Sequence, residues 1–346
     1  MRGPGEAAGA SNNAIGGSLP GSIRERLRLP LIAAPMFLVS TIDLVVAACR
    51  NGVIGAFPTV NCRTPEQLGN WLVEIKRRLE AHATRDDRRP APYCPNLIVH
   101  NSNPRLARDL DVILAHRPEM VITSVGSPAA VIPALHDAGV LVFSDVATIR
   151  QARKAADAGA DGLVLLAAGA GGQTGWINPF SFVRAVRAFY SGVLVLSGGI
   201  SDGYALAAAM MLGCDLAYMG TRFIATVESA AQDAYKQMLI DSTADDILLT
   251  SAVSGLPANI LRPSLVRAGI DPDNLPAHGP LNVAQDISIE AVERRPGRWR
   301  DIWSAGHSTS GVKAILPVER LIDEVLSEYR ETMDEPVGGA PCASPR

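Results

Sequence analysis

Two hydrophobic rhythms alternate along the chain. Short, mostly β-branched apolar runs occur at 29–36 (LPLIAAPM), 52–58, 93–99, 120–125, 140–146, 162–168, 193–200 and 216–222. Between them lie longer stretches whose apolar positions recur at helical spacing, and the alternation predicts parallel strands joined by helices. The helices carry their own punctuation. The stretch from Thr64 opens on Thr64 and Pro65, and those before Gly139, Gly159 and Gly213 each stop on a glycine. Eight such units between residues 29 and 240 predict an α/β fold, a (β/α)8 TIM barrel. A doubly wound open sheet is the alternative, and the short, even spacing of eight units favours closure.

Around this barrel the composition shifts. Residues 1–22, rich in Gly, Ala, Ser and Asn, read as a disordered N-terminal tail, and 335–346 as its C-terminal counterpart. The barrel is expected over 23–240. Residues 241–300, with their prolines and the ERRPGRWR run, interrupt the pattern after the eighth unit as an inserted helical and loop segment. Composition does not separate a lid from a homodimer contact there. Residues 301–334 read as a C-terminal loop and a closing helix.

Of the 346 residues, 47% are hydrophobic and 19% charged, enough apolar content for a large core. The 32 basic and 35 acidic residues are interspersed and leave a net charge of −3, which gives no reason to expect nucleic acid or an anionic membrane as partner. No apolar stretch reaches the roughly 20 residues of a membrane helix, and the first 22 residues lack the apolar core of a signal peptide. The five cysteines are scattered without a C-x-x-C pair, so neither a disulfide framework nor a metal site is expected, and a reducing cytoplasm fits.

In a barrel the chemistry belongs to the loops that follow each strand. After the seventh strand come Ser197, Gly198 and Gly199, and after the eighth Gly220 and Thr221. Backbone N–H groups, a hydroxyl and the following helix converge there on one anion, so the two loops read as a phosphate cup. Pro35 and Met36 place a rigid turn and a flexible thioether at the mouth after the first strand, suited to a flat heteroaromatic ring. Asn96 offers a donor and an acceptor to the edge of that ring. A planar ligand with a phosphate tail describes flavin mononucleotide (FMN). The stretch LLAAGAGGQTGW, from Leu165 to Trp176, is cleared of side chains apart from Gln173, and its glycines are expected to let the backbone pass close to that ligand.

The combination of APM (34–36), PNL (95–97), GAGGQTG (169–175), SGGI (197–200), MGTRF (219–223), SGLPANILR (254–262) and IWSAGHS (302–308) resembles the nitronate monooxygenase family, formerly the 2-nitropropane dioxygenases. The resemblance runs from about Leu29 to about Tyr329. It implies an FMN-dependent TIM barrel that oxidises alkyl nitronates with dioxygen. It also implies that Pro35, Met36, Asn96, Gly172, Ser197, Gly198, Gly199, Gly220 and Thr221 hold the flavin, with the stretch around Gly306 closing over it. The group includes an FMN-dependent enoyl-acyl-carrier reductase using NAD(P)H, which is the alternative reading. A flavin-free barrel isomerase holding a phosphorylated metabolite is another, although no lysine stands at a strand end.

The departure from the family pattern lies on the substrate side. The family's glycine loop carries a histidine credited with proton abstraction or substrate steering, and here that position is Gln173, whose amide accepts no proton at working pH. Asp145 stands where some relatives have a lysine, and Leu166 where relatives are often polar. A nitronate is already an anion and needs no base, so Gln173 is expected to donate a hydrogen bond to it. His307, where relatives usually carry glutamine, is the second catalytic candidate, on the expectation that the two side chains have exchanged roles. His100 and Trp176 are further candidates for the substrate face.

Overall fold

The computed structural model describes residues 18–83, 88–277, 279, 281–286 and 301–334. Eight parallel strands form a closed barrel in the order β1 (Leu31–Ala33), β2 (Ile54–Pro58), β3 (Tyr93–Ile98), β4 (Met120–Ser124), β5 (Leu141–Val146), β6 (Gly162–Leu166), β8 (Val193–Ser197) and β9 (Leu216–Met219). β9 pairs with β1, Ile32 opposite Tyr218, and this pairing closes the ring. No open edge remains in the barrel, which excludes the doubly wound alternative.

Side-chain alternation divides each strand between two cores. One parity of β5, β6 and β8 sends Val142, Leu163, Leu165, Leu194 and Leu196 outward into the layer beneath the helices. The other parity sends Ile32, Ile54, Cys94, Ile122, Phe143, Val164, Val195 and Leu216 into the barrel axis, a packed interior with no pore. One step further toward the carboxyl ends, that inward parity turns polar at Asn96, Ser124, Asp145, Ser197 and Tyr218.

The helices begin where the sequence supplies caps. Thr148, Asn178 and Asp202 each accept a backbone N–H of the first helical turn, from Gln151 at 3.1 Å, Phe180 at 2.9 Å and Ala205 at 2.8 Å. The helix Gly203–Met211 is apolar on nearly every side, because Val318–Asp334 packs on its outer face. Gly203 permits that approach, since a Cβ there would lie 2.2 Å from the Tyr329 nitrogen.

Two expectations are corrected. Val318–Asp334 also packs on Ile42–Arg50 and so fills the eighth place in the helical ring, whereas Asp233–Asp241 does not. The inserted segment therefore lies inside the eighth unit, between β9 and its ring helix. Helical periodicity alone could not distinguish the two helices. The expected tail of residues 1–22 is shortened at its inner end, where Leu19 is buried and the Ser18 N–H donates to Asp215 at 3.0 Å. The rest of that tail, the tail 335–346 and the ERRPGRWR run lie outside the described residues.

A second, three-stranded sheet has no counterpart in the predicted elements. β7 (Gly172–Gln173) pairs antiparallel with β11 (Ala258–Leu261), which pairs with β10 (Ile247–Thr250). The insertion is thereby stitched to the glycine loop, with Gln173 opposite Ala258. Asn259 reinforces the seam by donating its amide N–H to the Ala170 carbonyl at 2.7 Å.

Candidate active site

The carboxyl ends of the strands open into an inner cavity of about 240 Å³. Pro35, Met36, Asn96, Gly172, Gln173, Ser197, Gly198, Gly199, Gly220 and Thr221 all line it. The barrel thus brings together residues separated by up to 186 positions in the chain. The inserted segment roofs the cavity with Ser254, Leu256 and Ala258, and the C-terminal loop walls it with Trp303, Ser304 and Ser308. His307 is not among the lining residues. Its exposed side chain rests against Gly169, and its N–H donates to the Gly169 carbonyl at 2.9 Å. The exchange of roles expected between His307 and Gln173 is therefore not built: the backbone of 306–307 hugs the glycine loop and turns the imidazole outward.

Gly169, Gly171 and Gly172 line the cavity, and the loop's glycines also serve close packing within the protein. A Cβ on Gly171 would lie 2.7 Å from the Gly306 nitrogen, and one on Gly306 would lie 2.5 Å from the Gly169 carbonyl oxygen. Gly175 is similarly pressed against the Ala147 and Leu166 carbonyls at 2.6 Å. Within the loop, Gly171 and Gly175 thus permit backbone-on-backbone packing, Gly169 lies against the His307 side chain, and Gly172, at φ +66°, faces open space.

At the anion cup, Gly198 and Gly199 adopt φ +122° and +77°, a backbone that L side chains rarely take. A Cβ on Gly198 would crowd the Ala168 carbonyl at 3.0 Å, while Gly199 faces open space. Thr221 accepts the Gly306 N–H on its Oγ1 at 3.0 Å, which leaves its own O–H free to donate. The hydroxyl ties the C-terminal loop to the cup.

Four buried polar atoms along the cavity have no hydrogen-bond partner: Asn96 Nδ2, Asp145 Oδ1, Tyr218 Oη and Ser304 Oγ. Asn96 is held by the Ser124 hydroxyl, which donates to its Oδ1 at 3.1 Å and so turns the amide nitrogen into the cavity. Buried polar groups are nearly always satisfied, so four orphans around one cavity describe a surface shaped for a polar ligand. The donor set fits FMN: the Asn96 amide for the edge of a heteroaromatic ring, the Met36 thioether for its face, and the cup at Gly198, Gly199, Gly220 and Thr221 for a phosphate. Tyr235 and Trp303, which also line the cavity, stack with centroids 4.8 Å apart, and the Tyr235 hydroxyl donates to the Ser304 carbonyl.

A second, outer cavity of about 610 Å³ adjoins the first. The two share Val125, Asp145, Leu166, Gln173 and Leu256. Beyond that shared wall the outer cavity is mainly apolar, with Pro128, Val146, Ala147 and the 78% exposed Trp176. His100 and Lys154 are its basic residues. His100 Nδ1 lies 2.8 Å from the Ser102 hydroxyl, which is itself held by the Val283 N–H. Burial raises the Asp145 carboxyl from 3.8 to about 8, with no neighbouring cation to oppose the shift. Burial, and next the Asp145 carboxyl, hold the Tyr218 phenol well above its ordinary range.

Sequence reasoning singled out the cup and the glycine loop, whereas Ser124, Tyr218, Ser304 and the Tyr235–Trp303 pair went unremarked. The available signal was parity. Tyr218 and Asp145 share their strand faces with Leu216 and Phe143, which point into the barrel.

This closed eight-stranded barrel, with glycine loops after its last two strands and a polar upper layer, has the architecture of a TIM-barrel enzyme. Within that class the nitronate monooxygenase family model matches residues 24–328, and the chain belongs to that family of FMN-dependent oxidoreductases. It is 24% identical over 348 residues to the nitronate monooxygenase of Paraburkholderia phytofirmans, covering 88% of this chain and 93% of the relative. It is 33% identical over 278 residues to that of Pseudomonas aeruginosa, covering 67% of this chain and 76% of the relative. The solved structure of nitroalkane oxidase from Streptomyces ansochromogenes superimposes with a TM-score of 0.73 at 24% identity, covering 91% of this chain and 99% of that one, and shows the same fold. No helix among the described residues is long and apolar enough to cross a membrane.

Proposed function

We propose that this chain binds FMN in the inner cavity and oxidises alkyl nitronates with dioxygen. The observation that carries the reading is the set of orphaned polar atoms around the cavity that the glycine loops also line, in a chain of this family. When bound, FMN accepts the electrons of the substrate and delivers them to dioxygen. The Gly198, Gly199 and Gly220 amides and the Thr221 hydroxyl anchor the phosphate, Asn96 orients the ring edge, and Pro35, Met36 and Gly172 bound the ring.

Gln173 occupies the wall between the two cavities, its backbone fixed by pairing with Ala258. Its amide N–H donates to the oxygens of a nitronate that arrives already ionised, so no base is needed at this position. The chain has no other group at the family's histidine position, and the reading therefore favours anionic nitronates over neutral nitroalkanes.

The test is the visible spectrum of the purified protein, followed by anaerobic addition of an alkyl nitronate and, separately, of NADPH. Flavin bands that bleach with nitronate and not with NADPH support the proposal. Bleaching by NADPH alone moves the chain to the reductases. Absence of flavin binding, even with added FMN, overturns the cofactor assignment.

A further inference from the structure

Asp145 is the only charged residue in the polar upper layer formed by Asn96, Ser124, Asp145, Ser197 and Tyr218. It stands on the wall that separates the inner from the outer cavity, beside Gln173 among the shared residues. The residue is half-buried: its Oδ1 is sealed from solvent, and the side chain makes no hydrogen bond and no ion pair among the described residues. A carboxylate so placed would be an uncompensated charge, and such groups take up a proton instead.

The surroundings offer no countercharge. From β4, the Thr123 hydroxyl is spent on the Phe143 carbonyl and the Ser124 hydroxyl on Asn96. The neighbouring strand β6 presents Val164 and Leu166. Across the barrel stand the Tyr218 phenol and the Cys94 thiol, both held neutral by burial. The outer cavity contributes Lys154 and His100, neither within ion-pair distance, and the glycine loop contributes the neutral Gln173 amide.

We propose that Asp145 in its neutral form is a second hydrogen-bond donor to the substrate anion, acting with the Gln173 amide. The pair selects planar oxyanions of the nitronate and carboxylate type. The substrate's apolar body extends into the outer cavity. No proton is transferred: the O–H of Asp145 is shared with the anion, in the manner of a buried carboxylic acid kept protonated so that it can donate. This inference rests on the nitronate reading only for the identity of the natural anion.

The experiment uses the purified holoenzyme and isobutyrate, an unreactive carboxylate with the shape of propane-2-nitronate. Its dissociation constant is measured by calorimetry as a function of pH in the parent protein, Asp145→Asn and Asp145→Leu. Infrared difference spectra follow the carbonyl stretch of a protonated carboxyl. In the parent, affinity should be flat between about 6 and about 8, where the probe is fully ionised, and fall about tenfold per pH unit above that, with the carboxyl band present at neutral pH and lost over the same range. Asp145→Asn keeps a neutral donor, so it should bind within a few-fold of the parent, without the alkaline fall and without the band. Asp145→Leu should bind about 10- to 100-fold more weakly. The proposal is overturned by any of four results: no isobutyrate binding at any pH, affinity unchanged through this range, no band at neutral pH, or an Asn variant as weak as the Leu variant. Carboxylate binding and the band are read without turnover. If they behave as expected while nitronates go unoxidised, the proposed reaction fails and the role of Asp145 stands.

Discussion

Replacing Gly306 by alanine tests how the site is closed. Gly306 has φ −92°, which any residue adopts, so the substitution carries no backbone strain and its cost is steric alone. The new Cβ would lie 2.5 Å from the Gly169 carbonyl oxygen and 2.8 Å from the Gly171 nitrogen, and neither backbone atom can swing aside. The two loops must separate by close to an ångström, which costs about 1–3 kcal/mol as overpacking. Separation also strains the bonds from the Gly306 N–H to Thr221 Oγ1 and from the His307 N–H to the Gly169 carbonyl, at about 1 kcal/mol each. The total is about 3–5 kcal/mol. It falls on the segment that walls the cavity and steadies the cup hydroxyl. We expect Gly306→Ala to lower the melting temperature by several degrees and to weaken FMN binding at least tenfold, measured by thermal melting and by quenching of FMN fluorescence. An alanine variant with the parent's melting temperature and flavin affinity would refute the backbone-on-backbone reading of this contact.

Other predictions concern the substrate side and its charge. The Asp145 carboxyl is raised in the folded chain from 3.8 to about 8, so the folded state holds a proton that the unfolded state releases, and stability should decline as pH rises through that interval and then level off. Allowing for solvent entering through the cavity, the decline is on the order of 2 kcal/mol. Asp145→Asn should abolish it in the flavin-free protein, and equal urea midpoints for parent and variant from acid to neutral pH would count against the assignment. His307→Gln should oxidise nitronates within about twofold of the parent, because the imidazole lies outside the cavity; a large loss of kcat would return it to the site. In a series of 1-alkyl nitronates, kcat/KM should rise about fourfold per methylene while the outer cavity fills. Ala147→Phe, which narrows only that cavity, should flatten the series and spare the shortest substrate.

Much of this molecule is legible in its sequence. The eight apolar runs appear as eight barrel strands at the expected places, because a strand buried on both faces must be written as a continuous apolar stretch. The conformation of the loop after β8 was legible because it is local: glycines that take positive φ, and a hydroxyl at the helix start after β9, are read from adjacent residues. The tertiary structure decided the rest. That Asp233–Asp241 leaves the helical ring to Val318–Asp334, that Gln173 becomes a strand residue against Ala258, and that His307 turns outward all depend on contacts between segments far apart in the chain. The same holds for Asp145. Its parity placed it on the barrel axis, but only the closed barrel brings Val164, Leu166, Tyr218 and Cys94 around it with no cation among them, the surroundings that push its carboxyl upward. Local propensity and hydrophobic period are properties of neighbouring residues and survive in the string of letters, whereas desolvation and countercharge are properties of a volume, which exists once the chain has folded around it.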